Sequence, residues 1–215
     1  MNKKLYRFLE RGADFEDRPV LSWAHIDKFD GDPVIWTANG YAVHVVWGMA
    51  YLTGNAIPFP KTMFLENESQ SFPKRPNAIE VVQSCKPDIT YRLDTWLFRR
   101  MLTALKTNKH FDNAYLLSHN SGLYLASQDS MSYLAFGNAP DGILSFSVQF
   151  ALDAIEGDSA QIGWSSTDDT LPYFLGTPKA ACAYIMPVSS LSDEERRDKV
   201  FNRYSKIAKA MESAK

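Results

Sequence analysis

Basic side chains cluster in three short segments of this 215-residue chain, and such clusters can bind phosphate groups. Residues 1–12, 94–110 and 193–215 hold 15 of the 23 Lys and Arg residues but only 7 of the 25 Asp and Glu residues. The candidate phosphate-binding residues of the first two segments are Lys3, Lys4, Arg7, Arg11, Arg99, Arg100, Lys106 and Lys109. Because the rest of the chain is acidic, the pattern predicts a protein that touches DNA with one surface. The alternative is chance clustering of solvated side chains.

Sequence motifs for catalysis are missing from the chain. It has no Gly-rich phosphate loop, no GxSxG turn, no HExxH helix and no paired cysteine motif. The four histidines stand at unrelated spacings: His25, His44, His110 and His119. Cys85 and Cys182 are isolated from other metal-binding residue types, so we expect reduced, buried thiols. We therefore predict a protein that is not an enzyme, with no catalytic residue, metal or cofactor. The alternative is an enzyme of unrecognised type, which only the unassigned residues 48–78 favour.

Tryptophan side chains can bind nucleic acid in a second way, by stacking on its bases. The chain has five of them, at Trp23, Trp36, Trp47, Trp96 and Trp164. Because they fall mostly inside predicted strands or a helix, we expect them to belong to the hydrophobic core.

Length and composition are those of an ordinary globular protein. The hydrophobic share is 45% and the charged share 22%, and 215 residues suffice for one large domain or two of about 100 residues. No apolar run approaches the roughly 18 residues of a membrane span, and no signal-peptide core follows the N-terminus. We expect a cytoplasmic protein with no membrane contact.

Helical periodicity predicts which elements carry the basic side chains. A first helix is expected to end at Gly12, and Asp94 is expected to cap a helix over 94–108. A third helix over 147–156, with Ser147 as its cap and Gly157 as its stop, has no basic residue. A fourth, over 193–213, begins with a capping box. We expect this last helix to pack on the body of the protein with a solvated charged face; the alternative is a contact with DNA or a partner.

Runs of β-forming residues separated by turn residues predict the strands. They cover residues 20–26, 34–38, 41–47, 79–83, 114–117, 123–127, 132–136, 160–164, 173–175 and 181–188. Asn39-Gly40 is a strong hairpin signal between two of these strands. Residues 48–78 contain four prolines and no recognisable helix, which favours irregular chain.

Two stretches near the end of the chain resemble the last half-domain of a bacterial DNA polymerase sliding clamp. Residues 152–155, Leu-Asp-Ala-Ile, resemble the core of that half-domain's helix. Residues 183–188, Ala-Tyr-Ile-Met-Pro-Val, resemble the family's terminal strand, Tyr-x-x-Met-Pro or nearly so. Near the N-terminus, Asn39-Gly40 stands where the family often has Asp-Gly. Helices that each precede about three strands also recur along the chain.

The resemblance implies an α+β fold of the DNA-clamp type, with antiparallel sheets, helices on one face and an appended C-terminal helix. It implies an N-terminal clamp-like domain over 1–78, shortened because a second helix is missing, and a complete clamp-like domain over 79–190. The C-terminal helix would occupy 191–215.

The resemblance further implies a processivity factor that encircles double-stranded DNA and tethers a DNA polymerase or another clamp-binding protein. The basic helices would contact phosphates without reading bases. Partner peptides would dock in an apolar groove lined by Tyr184, Ile185, Met186, Pro187 and Val188, with 82–84 as a weaker candidate for the opposite wall. A ring of two-domain protomers would be a homo-oligomer, most simply a trimer. The alternative is an adaptor or inhibitor that keeps the clamp fold but binds another protein without encircling DNA.

Overall fold

The structure, a computed structural model, describes residues 3–13, 23–48, 56–58, 76–107, 113–128, 130–188 and 194–213. The helices are α1 (Lys3–Arg11), α2 (Pro76–Ser84), α3 (Thr95–Thr107), α4 (Val148–Ala154) and α5 (Glu194–Ser213). The first strands are β1 (Trp23–Phe29), β2 (Asp32–Ala38), β3 (Ala42–Trp47), β4 (Ala56–Pro58), β5 (Ile89–Asp94) and β6 (Asn113–His119). The remaining strands are β7 (Gly122–Ala126), β8 (Met131–Phe136), β9 (Gly142–Ser147), β10 (Ser159–Trp164), β11 (Tyr173–Thr177) and β12 (Ala181–Ile185).

The strands form two antiparallel sheets. Sheet A has eight strands in the order β4-β1-β2-β3-β12-β11-β10-β5, and sheet B has four in the order β8-β7-β6-β9. Every pairing in both sheets is antiparallel.

Three units of similar topology make up these sheets. The N-terminal unit is α1 with β1–β3, the middle unit is β5, α3 and β6–β8, and the last unit is β9, α4 and β10–β12. The middle and last units exchange their first strands, since β5 pairs with β10 and β9 pairs with β6. In the N-terminal unit, β4 pairs with β1 at the equivalent position. Among the described elements, the middle and last units are therefore interlocked by strand exchange, whereas the N-terminal unit exchanges no strand with another unit.

The N-terminal unit joins the last unit edge to edge. Strand β12 pairs with β3 over five residues, from Ala181 opposite Val46 to Ile185 opposite Ala42. These are the final strands of their respective units, so the junction extends one sheet across both.

Successive side chains of a strand point to opposite faces of its sheet, which explains how the sheets bury residues on both faces. In β6, Leu116 faces the main core whereas Leu117 faces α5. In β2, Ile35 faces the main core whereas Trp36 lies in a cluster with residues of α2. Helices α3 and α4 contribute to the main core and contact each other side by side. The antiparallel sheets with helices packed on them, which the sequence predicted, are therefore present.

Several expectations about individual elements need correction. Residues 76–84 form helix α2, where the sequence predicted irregular chain followed by a strand over 79–83. Pro76 occupies the first helical position, where its missing N–H group costs nothing. Ser147 stands at the N-terminal cap of α4, but its side chain makes no capping hydrogen bond, and α4 is shorter than predicted. Within the described part of the chain, no helix is both long and apolar enough to cross a bilayer.

Candidate nucleic-acid interface

Helices α1, α4 and α3 form one layer. Helix α4 contacts α3 on one side and α1 on the other. We call these three helices the helix layer. It contains seven of the eight basic residues that the sequence proposed for DNA binding, while Lys109 lies outside the described residues.

Two of those arginines hold the layer together. Arg11 Nη2 and Arg99 Nη2 both donate to the carbonyl oxygen of Ile155, at 3.3 and 2.8 Å. Ile155 is the C-terminal cap of α4, where unpaired carbonyl groups attract positive charge. Arg11 also pairs with the Glu156 carboxylate at 2.8 Å. The proposed DNA contacts of Arg11 and Arg99 are therefore in competition with contacts that these side chains already make within the protein.

The segment that receives these contacts is 155–157, which we call the anchor loop. Besides the two arginines, Thr95 at the start of α3 donates its hydroxyl to Gly157 O at 2.8 Å. Helices α1 and α3 are thus both tied to the loop that follows α4. This local structure fixes the relative positions of the three helices.

The C-terminal end of α1 is also docked on sheet A. His44 donates from Nδ1 to Phe8 O at 2.9 Å, and the Thr37 hydroxyl donates to Leu9 O at 2.8 Å. A Cβ atom on Gly12 would lie 2.4 Å from His44 Cγ, so only glycine fits there. Burial lowers the pKa of His44 from 6.5 to about 4, so the ring is neutral in this site.

The other basic side chains of the helix layer are exposed, as is Arg99. Lys3, Lys4 and Arg7 are exposed on α1, and Arg100 and Lys106 are exposed on α3. Lys106 donates to the Gln149 side chain of α4. These side chains extend from fixed helices into solvent, which suits contacts to a phosphate backbone.

One line of exposed side chains runs along α3. It consists of Trp96, Arg100, Thr103 and Thr107, spaced at helical intervals and exposed, and we call it the ridge. Trp96 is 64% exposed, and the Arg100 guanidinium carbon lies 4.7 Å from the centroid of its ring. The expectation that the tryptophans belong to the core is therefore wrong for Trp96. It holds for Trp36 and Trp164, which are buried.

Acidic groups near the layer have partners within it. Asp94 accepts a hydrogen bond from Leu97 N at 3.0 Å, so it caps α3 as predicted. Asp153 accepts one from Gln149 Nε2 at 2.7 Å, and burial raises the pKa of its carboxyl group. The described residues of α3 include no acidic side chain.

The proposed partner-peptide residues lie at the end of β12. Ile185 is fully buried, so its side chain is not available to a peptide, whereas Met186 is 36% exposed. Tyr184 packs against the same cluster as Val82 of α2, which the sequence proposed for the opposite wall. Pro187 and Val188 are half-buried.

The backbone after β12 bridges the two sheets. Met186 N donates to Tyr41 O at 2.8 Å, and Val188 N donates to Ser145 O at 3.0 Å. Because β12 lies between β11 and β3, the candidate groove is at a strand end and not at the lateral edge of a sheet.

The anchor loop was missed by the sequence analysis, as was α2. The anchor loop joins residues 56 and 144 positions apart, and no spacing pattern reveals such contacts. A signal for α2 was available in Pro76 followed by apolar residues at helical spacing.

Solved structures of bacterial sliding clamps are similar to this chain in fold. The DNA polymerase sliding clamp of Bacillus subtilis matches with a TM-score of 0.63 and 13% identity over 86% of this chain and 62% of its own. The DNA polymerase III beta subunit of Thermotoga maritima matches with a TM-score of 0.63 and 11% identity, over 87% and 64%. The sliding clamp of Caulobacter crescentus gives 0.62 and 14%, over 86% and 63%.

The chain has the sliding-clamp fold. The resemblance stated from the sequence is thereby confirmed at the level of fold. The clamp-fold region spans 62–64% of the length of these three clamps. No protein-family model matches the sequence, and no curated protein matches it.

Proposed function

We propose that this clamp-fold protein binds double-stranded DNA without sequence preference through its helix layer and tethers a partner protein at the end of β12. The observation that carries the proposal is the set of exposed basic side chains on α1 and α3, fixed side by side in a sliding-clamp fold. Such side chains neutralise phosphates, and the interaction needs no catalytic residue.

The DNA contacts of this proposal fall on the exposed residues of the layer. Arg7 is exposed on α1 and Arg100 is exposed on α3, so the two residues test both outer helices of the helix layer. Arg11 and Arg99 are assigned to the anchor loop. Lys3, Lys4, Lys106 and Lys109 remain proposed DNA contacts.

The test is the double variant Arg7→Glu/Arg100→Glu, with duplex affinity measured at several salt concentrations. Each lost phosphate contact should flatten the plot of log affinity against log salt by about 0.9. The matched control is Lys206→Glu, an exposed lysine of α5, which packs against β6, β8 and β9. Equal affinity and slope in the double variant and the wild type would refute DNA binding by the layer.

The proposed partner site is centred on Met186. Its flexible thioether, 36% exposed, can adapt to apolar anchors of a bound peptide. Met186→Ala should abolish binding of a clamp-binding peptide and cost less than the roughly 2–5 kcal/mol typical of a buried methionine. If this variant binds the peptide with wild-type affinity, or if it is destabilised by that full amount, the partner site does not lie at Met186.

Self-association is proposed to involve strand β8. It is one of the two lateral edges of sheet B among the described strands, and it carries Phe136 and Tyr133, which are 80% and 37% exposed. Strand β12, its counterpart in the last unit, already pairs with β3. A second copy is therefore the proposed partner of β8. Phe136→Lys should lower the molar mass measured by light scattering, and an unchanged mass would exclude this edge.

The number of half-domain units in one chain determines how many chains a closed ring would need. A trimer was expected from two-domain protomers, whereas the described elements make three half-domain units. We retain 1–78, 79–190 and 191–215 as proposed parts, with α2 connecting the first two because it begins before residue 79 and packs on β3.

A non-encircling adaptor or inhibitor is the second candidate function. The observation that favours it is α5, which covers one face of sheet B through Tyr204 and Ala208. The single N-terminal unit favours it as well. A monomer in light scattering that fails to bind duplex DNA, yet captures a partner protein, would support this candidate.

A further inference from the structure

The ridge contains a group that phosphate binding does not explain. Trp96 is 64% exposed near the start of α3, and the other ridge residues, Arg100, Thr103 and Thr107, carry a cation and hydroxyl groups. Exposure of a large apolar ring to water is unfavourable, and burying it against a ligand would release that cost. Trp36 and Trp164 are 3% and 2% exposed, so the position of Trp96 is unlike theirs.

Arg100 gives the ring a defined setting. Its guanidinium lies over the indole at 4.7 Å, one helical turn further along α3. The guanidinium thus occupies the space above one face of the ring. A flat aromatic ligand can stack on the opposite face, and a phosphate attached to it can reach the cation.

Charge on the layer favours an anionic ligand over a neutral aromatic one. Arg100 and Lys106 are exposed on α3, and Arg7 is exposed on α1 across α4. The nearest carboxylate along the chain, Asp94, accepts a hydrogen bond from the backbone of α3. A nucleotide combines the two required features, a π-face and a negative charge.

We propose that the ridge binds an unpaired nucleobase of a DNA strand, which stacks on Trp96 while Arg100 contacts an adjacent phosphate. Bases within a duplex are already stacked on each other, so a single-stranded tail or gap presents the suitable surface. This inference rests on the proposed DNA binding of the helix layer and adds to it a preference for duplexes with a single-stranded extension.

The experiment compares two probes, a blunt duplex and the same duplex with an oligothymidine tail. The wild type should bind the tailed duplex more tightly, and tryptophan emission should be quenched on binding. Trp96→Ala should lower the affinity for the tailed duplex by about tenfold or more and leave the affinity for the blunt duplex unchanged. Trp96→Phe should keep most of the preference, because an aromatic ring is retained.

The matched control is Ile207→Ala, which removes an apolar side chain, 38% exposed, from α5. It should change neither affinity. Equal affinity of the wild type for both probes, or an equal loss on both in Trp96→Ala, would overturn the inference while leaving duplex binding by the layer intact. Binding of the tailed duplex through Trp96 without any binding of the blunt duplex would support the inference and overturn the proposed function.

Discussion

The anchor loop and the ridge use the same residue type for different purposes. Arg99 and Arg100 are neighbours in the sequence, yet Arg99 donates to Ile155 O while Arg100 lies over Trp96 on the exposed side of α3. A rotation of about 100° per residue separates them around the helix. A basic cluster in a sequence therefore mixes residues that build the surface with residues that can use it.

The two regions are expected to differ in which property a substitution changes, stability or DNA affinity. Changes at the anchored side, meaning the anchor loop and the docked end of α1, should lower stability. On the ridge, changes at Arg100 should lower duplex affinity and changes at Trp96 should lower the affinity for the tailed duplex alone. Both should leave stability nearly unaltered, because exposed side chains contribute little to folding.

The largest loss of stability is expected for Gly12→Ala. The new Cβ atom would lie 2.4 Å from His44 Cγ and 2.7 Å from Thr37 Oγ1, so α1 must shift away from sheet A. Overpacking of this kind costs about 3 kcal/mol. Urea unfolding measures the change, and a variant as stable as the wild type would show that α1 is not docked as described.

A similar loss is expected on acidification because of His44. Its folded pKa of about 4 lies below the ordinary value of 6.5, so the unfolded chain binds the proton more readily. Stability should be complete above pH 6.5 and fall by about 1.4 kcal/mol per pH unit between pH 6.5 and 4. His25, whose pKa burial also lowers to about 4, adds to the slope.

The control for this pH dependence is His44→Gln, which does not titrate. Its free energy of unfolding should fall less steeply over the same interval, with the slope of His25 remaining. Identical slopes for the variant and the wild type would mean that His44 is not held neutral.

A smaller effect on stability is expected for Arg99→Met. The change removes the hydrogen bond to Ile155 O, and a bond from a charged donor to a partly buried carbonyl contributes about 1–2 kcal/mol. Arg100→Met should change stability by less than about 0.5 kcal/mol. The free energies of unfolding of the two variants, compared directly, test whether adjacent arginines have different roles.

Local chemistry made much of the fold predictable. Asn39 Oδ1 accepts hydrogen bonds from Tyr41 N and Ala42 N, and Gly40 has φ of +89°, as a turn at Asn-Gly requires. Asp94 caps α3 through its own side chain. Such features depend on residues a few positions apart, so they appear in the sequence.

The candidate site was less predictable because its decisive contacts are distant in the sequence. The sequence analysis proposed both Arg99 and Arg100 for phosphate binding, although a carbonyl group 56 residues from Arg99 binds that side chain. The exposure of Trp96 was missed because tryptophan within a helix usually contributes to a core. Helix α2 was missed because Pro76 was interpreted as a breaker and residues 79–83 as a strand, although Pro76 begins the helix.

The most direct test of the account measures duplex-DNA affinity for Arg99→Met and Arg100→Met at one salt concentration, with both variants shown to be folded. The account predicts a loss of affinity for Arg100→Met several times larger than the loss for Arg99→Met. Equal losses, or a larger loss for Arg99→Met, would contradict the division of the helix layer into anchoring and DNA-binding arginines.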